Sequence, residues 1–177
     1  MTSLPKKFLP FSPKRFRALS LNVLFMSLLV NAAHADGLPN IVGRDLSGKI
    51  TSLHRTFDYK PMVVNFWWVK CSPCKQELPD LIAKERDYPN VDFVYVHAET
   101  NAKTKAPYAI DEVTGFLESQ SLQLYRVIIG NTKARQSANI DALPTTLLLD
   151  NTGRIEQKLV GFTLENTAKI SEWLAKQ

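Results

Sequence analysis

The chain holds two cysteines, and both fall in Cys71-Ser72-Pro73-Cys74. Thiols three residues apart on one helix stand about one turn from each other, so a small adjustment brings the sulfurs to the ~2 Å of a disulfide bond. The stretch ahead of them, Met62-Val63-Val64-Asn65-Phe66-Trp67-Trp68, is apolar, β-branched and aromatic and predicts a buried strand. Pro73 suits the first turn of a helix that begins where the strand stops. There the first N–H groups of the helix lack partners and its dipole is positive, which favours a thiolate on Cys71 over the thiol. Cys71 is therefore the expected nucleophile and Cys74 the resolving cysteine. Lys70 either lowers the Cys71 pKa further or is a plain solvated lysine, according to where its ammonium points.

A pair at this spacing is also half of a zinc site. Zinc needs two more ligands, and past residue 35 the chain offers His54 and His97 and no second cysteine pair, so no metal is expected. Capture of a soft ion such as Cu(I) is the alternative use of the same two thiolates. Its ligand supply is thin, since Met62 is the one methionine past residue 35 and both histidines are distant in sequence.

These residues must be carried by a domain, and the first 35 residues are of another kind. Lys6, Lys7, Lys14, Arg15 and Arg17 form a basic leader without an acid, and Ala18 to Val30 is mostly apolar but short for a span of about 20 residues. The stretch ends in Ala33-His34-Ala35, a small-x-small pattern. Residues 1–35 read as an export signal, with a mature chain starting at Asp36 in the periplasm; the other reading is an uncleaved anchor to the inner membrane. Of 22 Lys and Arg, the five in the leader leave 17 against 17 Asp and Glu, so the formal +5 belongs to the leader. A near-neutral remainder without a basic patch excludes nucleic acid as the partner. Residues 36–177 suit one domain of ordinary size, and two cysteines in one motif leave stability to the core and the disulfide free to open and close.

Strand and helix patterns alternate along it. A turn at Leu46-Ser47-Gly48-Lys49 leads to a strand at 49–53, then Met62 to Trp68, then a helix from Pro73 to Arg86 that Pro79 should kink. A strand at Val91 to Val96 precedes a helix at 107–120 with Val113, Phe116 and Leu117 on one face. A strand from Leu124 to Ile129 and a short helical piece at 132–140 follow. An apolar strand after Pro144 turns through Asn151-Thr152-Gly153-Arg154 into Ile155 to Val160, and Thr163 caps a last helix carrying Leu164, Ala168, Trp173 and Leu174. The order predicts an α/β fold, a mixed sheet with helices on both faces.

Asn65-Phe66-Trp67, Cys71-Ser72-Pro73-Cys74, Glu77, Pro79, and Leu143-Pro144-Thr145-Thr146 before an apolar strand ending in Asp150 together carry a resemblance. Over most of residues 38–177 the chain resembles the exported thioredoxin-like family that includes TlpA, ResA and CcmG. The resemblance implies a thioredoxin fold and a redox-active Cys71–Cys74 disulfide with no other cofactor. It also implies a cis peptide bond before Pro144, lying against the cysteines, where pattern alone would leave trans as the default. It implies a monomeric periplasmic thiol-disulfide oxidoreductase whose partners are a disulfide-bearing client protein and a membrane thiol-electron donor of the DsbD/CcdA type. Cytochrome c maturation and disulfide repair are the roles it suggests. Ser72, Pro73, Leu143 and Pro144 then form the surface on which the client backbone pairs like an added strand. Glu77 matches an active-site acid of the ResA-like members, although a first-turn glutamate also stabilises a helix start. Three departures stand out: Lys70 replaces the usual tryptophan before the first cysteine, Asn65 stands where cytosolic thioredoxins keep a buried aspartate, and the acidic insertion of the cytochrome-maturation branch is missing. Trp67 and Trp68 are expected to pack the core and wall the site.

Overall fold

The computed structural model describes residues 37–104 and 106–177. The expected export signal and its cleavage site lie outside the described residues. In chain order the elements are β1 (Val42–Arg44), β2 (Ile50–Ser52), α1 (Leu53–Thr56), β3 (Met62–Trp67), α2 (Ser72–Asp87), β4 (Asp92–His97), α3 (Ile110–Ser119), β5 (Val127–Ile129), α4 (Thr132–Ser137), β6 (Thr145–Leu149), β7 (Ile155–Val160) and α5 (Leu164–Leu174). One sheet runs β2-β1-β5-β4-β3-β6-β7. β3, β4 and β5 run parallel to one another and the remaining pairings are antiparallel, which makes the sheet mixed, as expected.

β3, expected to be the central strand, lies inside the sheet between β4 and β6, one place from the middle strand β4, and every one of its residues is buried. Strand alternation then divides the core in two. Val63 and Trp67, with Phe93, Tyr95 and Leu148, pack against α2, α3 and α5 through Leu78, Leu117 and Trp173. Met62, Val64 and Phe66, with Val94, Val96, Leu147 and Leu149, pack on the other face with Leu53 of α1 and Ala134 of α4. No helix among the described residues is long and apolar enough to cross a membrane.

Several boundaries differ from the sequence expectation, each for a local reason. β1 sits in what reads as an irregular lead-in. It joins β5 because Gly43 has no side chain: a Cβ there would meet the Ile129 carbonyl oxygen at 2.5 Å. α1 was not expected; it is a single turn whose N-cap Ser52 accepts from the Arg55 N–H. α3 starts at Ile110, since Pro107 is held in an isolated bridge with Thr100 and the Glu112 carboxylate accepts from the Ala109 N–H at 3.0 Å. β5 begins only at Val127. On α5 the buried side chains are Ile170, Trp173 and Leu174, whereas Leu164, the first residue after the cap, points off the helix end and is 93% exposed. Ala168 is also exposed. The turn before β7 is made by Asp150, whose Oδ1 accepts from the Thr152 and Arg154 N–H groups while Gly153 takes φ +82°.

Candidate active site

Cys71 is the N-cap of α2, with Ser72 and Pro73 opening the helix. Its Sγ accepts the Cys74 N–H at 3.2 Å, an orphan donor that a cap exists to satisfy. Sγ is bonded to Cys74 Sγ, so the structure is the oxidised state. The two sulfurs are not equivalent. Cys71 keeps 8% of its surface exposed and Cys74 none, which leaves one cysteine at the mouth and the other beneath it. The strand-to-helix loop is tied by Cys71 N–H to the Trp68 carbonyl at 2.9 Å. Lys70 on this loop is exposed.

The mouth opens into a cleft of about 370 Å³. Trp68, Cys71, Pro73, Ala142 and Leu143 line one part of it, and Glu99, Arg135 and Asp141 the rest. The Leu143–Pro144 peptide bond is cis. The Pro144 carbonyl is taken by the Gly161 N–H at 2.8 Å, while the Leu143 N–H and carbonyl have no partner among the described residues. Cys71, Pro73 and Leu143 therefore meet at one opening. Pro144 is buried behind Leu143, and Ser72 is exposed outside the cleft lining.

Glu77 stands one turn after Cys74 on the same helix face and is 3% exposed. Its Oε2 accepts from Asn65 Nδ2 at 2.7 Å and its Oε1 from the Thr146 hydroxyl at 3.4 Å; Asn65 Nδ2 also reaches Thr146 Oγ1 at 2.9 Å. The network exists because Asn65 and Thr146 face each other across the β3–β6 ladder. Burial disfavours the carboxylate by more than the two hydrogen bonds favour it, and Asp80 adds repulsion, so the Glu77 pKa rises from 4.5 to about 7. This is not an exposed glutamate at a helix start. Asn65 Oδ1 is buried without a partner among the described residues.

His97, at the end of β4, was passed over in the sequence as distant from the cysteines. It is fully buried, edge-on to Trp67 at 5.2 Å and against Tyr108 at 4.9 Å, with Nε2 3.5 Å from the Val69 N–H. Burial lowers its pKa from 6.5 to about 4, which keeps it neutral. Thr146, Glu99 and Arg135 were also not singled out as site residues. Thr146 was findable, since alternation along β6 puts it on the face of the sheet that carries Asn65; nothing local marks Glu99 or Arg135.

An outer sulfur at a helix N-terminus, an inner sulfur one turn on, and a buried acid titrating near neutrality can exchange a disulfide and handle its protons. The comparisons agree with this chemistry. A family model described as thioredoxin-like matches residues 58–155. The chain is 29% identical over 127 residues to the thiol-disulfide oxidoreductase ResA of Bacillus cereus, covering 70% of this chain and 67% of that one. It is 30% identical over 125 residues to ResA of Geobacillus kaustophilus, again covering 70% and 67%. Among solved structures, a thiol:disulfide interchange protein of the thioredoxin family from Chlorobium tepidum superposes with a TM-score of 0.61 at 20% identity, covering 79% of this chain and 94% of that one; at that identity it speaks for the fold alone.

Proposed function

The chain belongs to the thioredoxin-like family and is a thiol-disulfide oxidoreductase, and from there we propose that it is an exported reductant of client-protein disulfides. The reading is carried by one observation: Cys71 Sγ caps α2 at the mouth of the cleft while Cys74 is fully buried beneath it. In the reduced protein the Cys71 thiolate attacks one sulfur of the client disulfide. A mixed disulfide forms and the client's other sulfur leaves as a thiolate. Cys74, once deprotonated, attacks Cys71 Sγ, which closes the Cys71–Cys74 bond and releases the second client thiolate. Two electrons pass to the client, and its thiolates take up two protons. Glu77 is suited to accept the Cys74 proton, because a carboxyl with a pKa of about 7 is a base near neutral pH. The free Leu143 N–H and carbonyl are suited to pair with the client backbone, with Pro73 and Pro144 shaping the surface and Ser72 at its edge.

The basic, apolar leader supports an address in the periplasm, where a membrane thiol-electron donor of the DsbD/CcdA type would return the protein to its reduced form, for cytochrome c maturation or disulfide repair. The full-length chain tests this. Cys71→Ser abolishes disulfide reduction and Cys74→Ser accumulates mixed disulfides with clients. A redox titration gives a midpoint nearer the thioredoxin value of about −270 mV than the DsbA value of about −120 mV. A midpoint near the latter overturns the reductant assignment, and tight one-to-one copper binding without thiol exchange overturns the whole reading.

A further inference from the structure

The lining of the cleft carries a hydrogen-bonding imbalance at Glu99 and Arg135. Glu99, just past the end of β4, is fully engaged: Oε1 accepts the Thr132 hydroxyl at 3.0 Å and the Thr100 N–H at 3.2 Å, and Oε2 faces Arg135 Nη1 at 3.5 Å. The Thr100 and Thr132 hydroxyls are themselves 2.7 Å apart, which pins the carboxylate to the first turn of α4. Arg135 is not engaged in this way. A guanidinium carries five N–H donors, and that single 3.5 Å ion pair is the only polar contact of this one among the described residues; Nε is buried and unpartnered. The side chain keeps 23% of its surface exposed and lines the same cleft as Cys71. Trp68 Nε1, also in the lining, is a second buried donor without a partner among the described residues. Asp141, the remaining charged residue of the lining, is exposed. The uncommitted side-chain capacity of the lining is therefore in donors, beside the free backbone N–H and carbonyl of Leu143, and the complement of the partly exposed Arg135 side chain is an acceptor.

On the disulfide-exchange reading above, we propose that Arg135 is a specificity-determining residue that receives an Asp or Glu side chain of the client close to the cysteine attacked by Cys71. The guanidinium fork matches a carboxylate at two points, and Glu99 acts as the anchor that holds it toward the cleft. The N-terminus of α2 and the exposed Lys70 add positive potential at the same mouth. A client with Lys or Arg at that place meets a like charge and is turned away.

The test uses the reduced full-length protein and two synthetic disulfide peptides, identical except for Glu or Gln beside the cysteine. Rates are normalised to those of the same peptides with dithiothreitol, which removes the effect of the acid on the thiol itself. The normalised kcat/KM is expected to favour the Glu peptide by about tenfold at low salt, with the ratio shrinking as ionic strength rises. Arg135→Gln brings the ratio to about one, Arg135→Glu takes it below one, and Arg135→Lys gives an intermediate value because charge survives and the two-point fit does not. A ratio near one in the wild type, or one unchanged in Arg135→Gln, overturns the assignment of Arg135 while leaving exchange chemistry intact. If the wild type reduces neither peptide, or if Cys71→Ser reduces both, the exchange reading itself fails. Should Arg135→Gln not fold, the wild-type ratio and its salt dependence decide alone.

Discussion

The two faces of the sheet are made of different materials. Under α1 and α4 lie Met62, Val64, Phe66, Val94, Val96, Ile128, Leu147 and Leu149, and the buried polar residues of the same strand parity, Asp92 and Thr145, are confined to the first positions of β4 and β6. Under α2, α3 and α5 the same strands present Asn65, Thr146, Tyr95 and His97, and α2 adds Glu77 and both cysteines. Each strand supplies both materials by alternation, so adjacent residues such as Asn65 and Phe66 serve different ends. The apolar face stabilises the fold. The polar face gives up part of that stability to hold ionisable groups away from water, and burial moves them in opposite directions: the Glu77 carboxyl up to about 7, the His97 imidazole down to about 4.

The separation of the two faces is most strongly tested at Phe66. It is fully buried in the apolar layer, so Phe66→Ala should cost about 3–5 kcal/mol in denaturant unfolding. The reduction potential should stay where it was; a shifted potential would mean that the two faces are not separate in function.

Glu77→Gln acts on the other face and comes next in size. The Glu77 pKa is raised on folding, so its contribution is complete below pH 4.5 and is lost as pH rises through 7, an effect of about 3 kcal/mol. The variant should therefore be the more stable protein at pH 8 by about that amount. His97 has the opposite sign, because its folded pKa is lowered: its contribution is present above pH 6.5 and lost as pH falls toward 4. The two slopes offset each other between pH 4.5 and 6.5 in the wild type. Unfolding measured across pH should thus show, in Glu77→Gln, an uncovered rise in stability from pH 4 to 6.5; a flat profile there would remove His97 from the account.

The smallest effect is at Lys75, whose ammonium lies 5.3 Å from the Phe116 ring, itself 5.7 Å from Trp67. Lys75→Gln should cost about 0.5 kcal/mol and leave the pH profile unchanged.

Much of this arrangement could be read along the chain. A continuous apolar run marked β3 as a buried interior strand, and Pro73 beside two cysteines marked the start of α2. Asp150 and Gly153 marked the turn into β7. The errors fell where a contact from elsewhere overrode local preference: β1 depends on the room that Gly43 leaves beside Ile129, and the start of α3 on the bridge between Thr100 and Pro107.

Caps, turns and alternation act over a few residues, so the residue order alone decided that a cysteine sits at a helix mouth after a buried strand. Strand register and packing between helices act over long stretches of chain, and only the folded molecule decided the company each group keeps. Glu77 meets Thr146 from 69 residues away because β6 pairs with β3 in one register, where a slip of one residue would turn that hydroxyl to the other face. Arg135 comes to the lip of Cys71 only because α4 packs where Glu99 can hold it. Such pairings leave no periodic trace in a linear chain, since each depends on where a distant segment comes to rest.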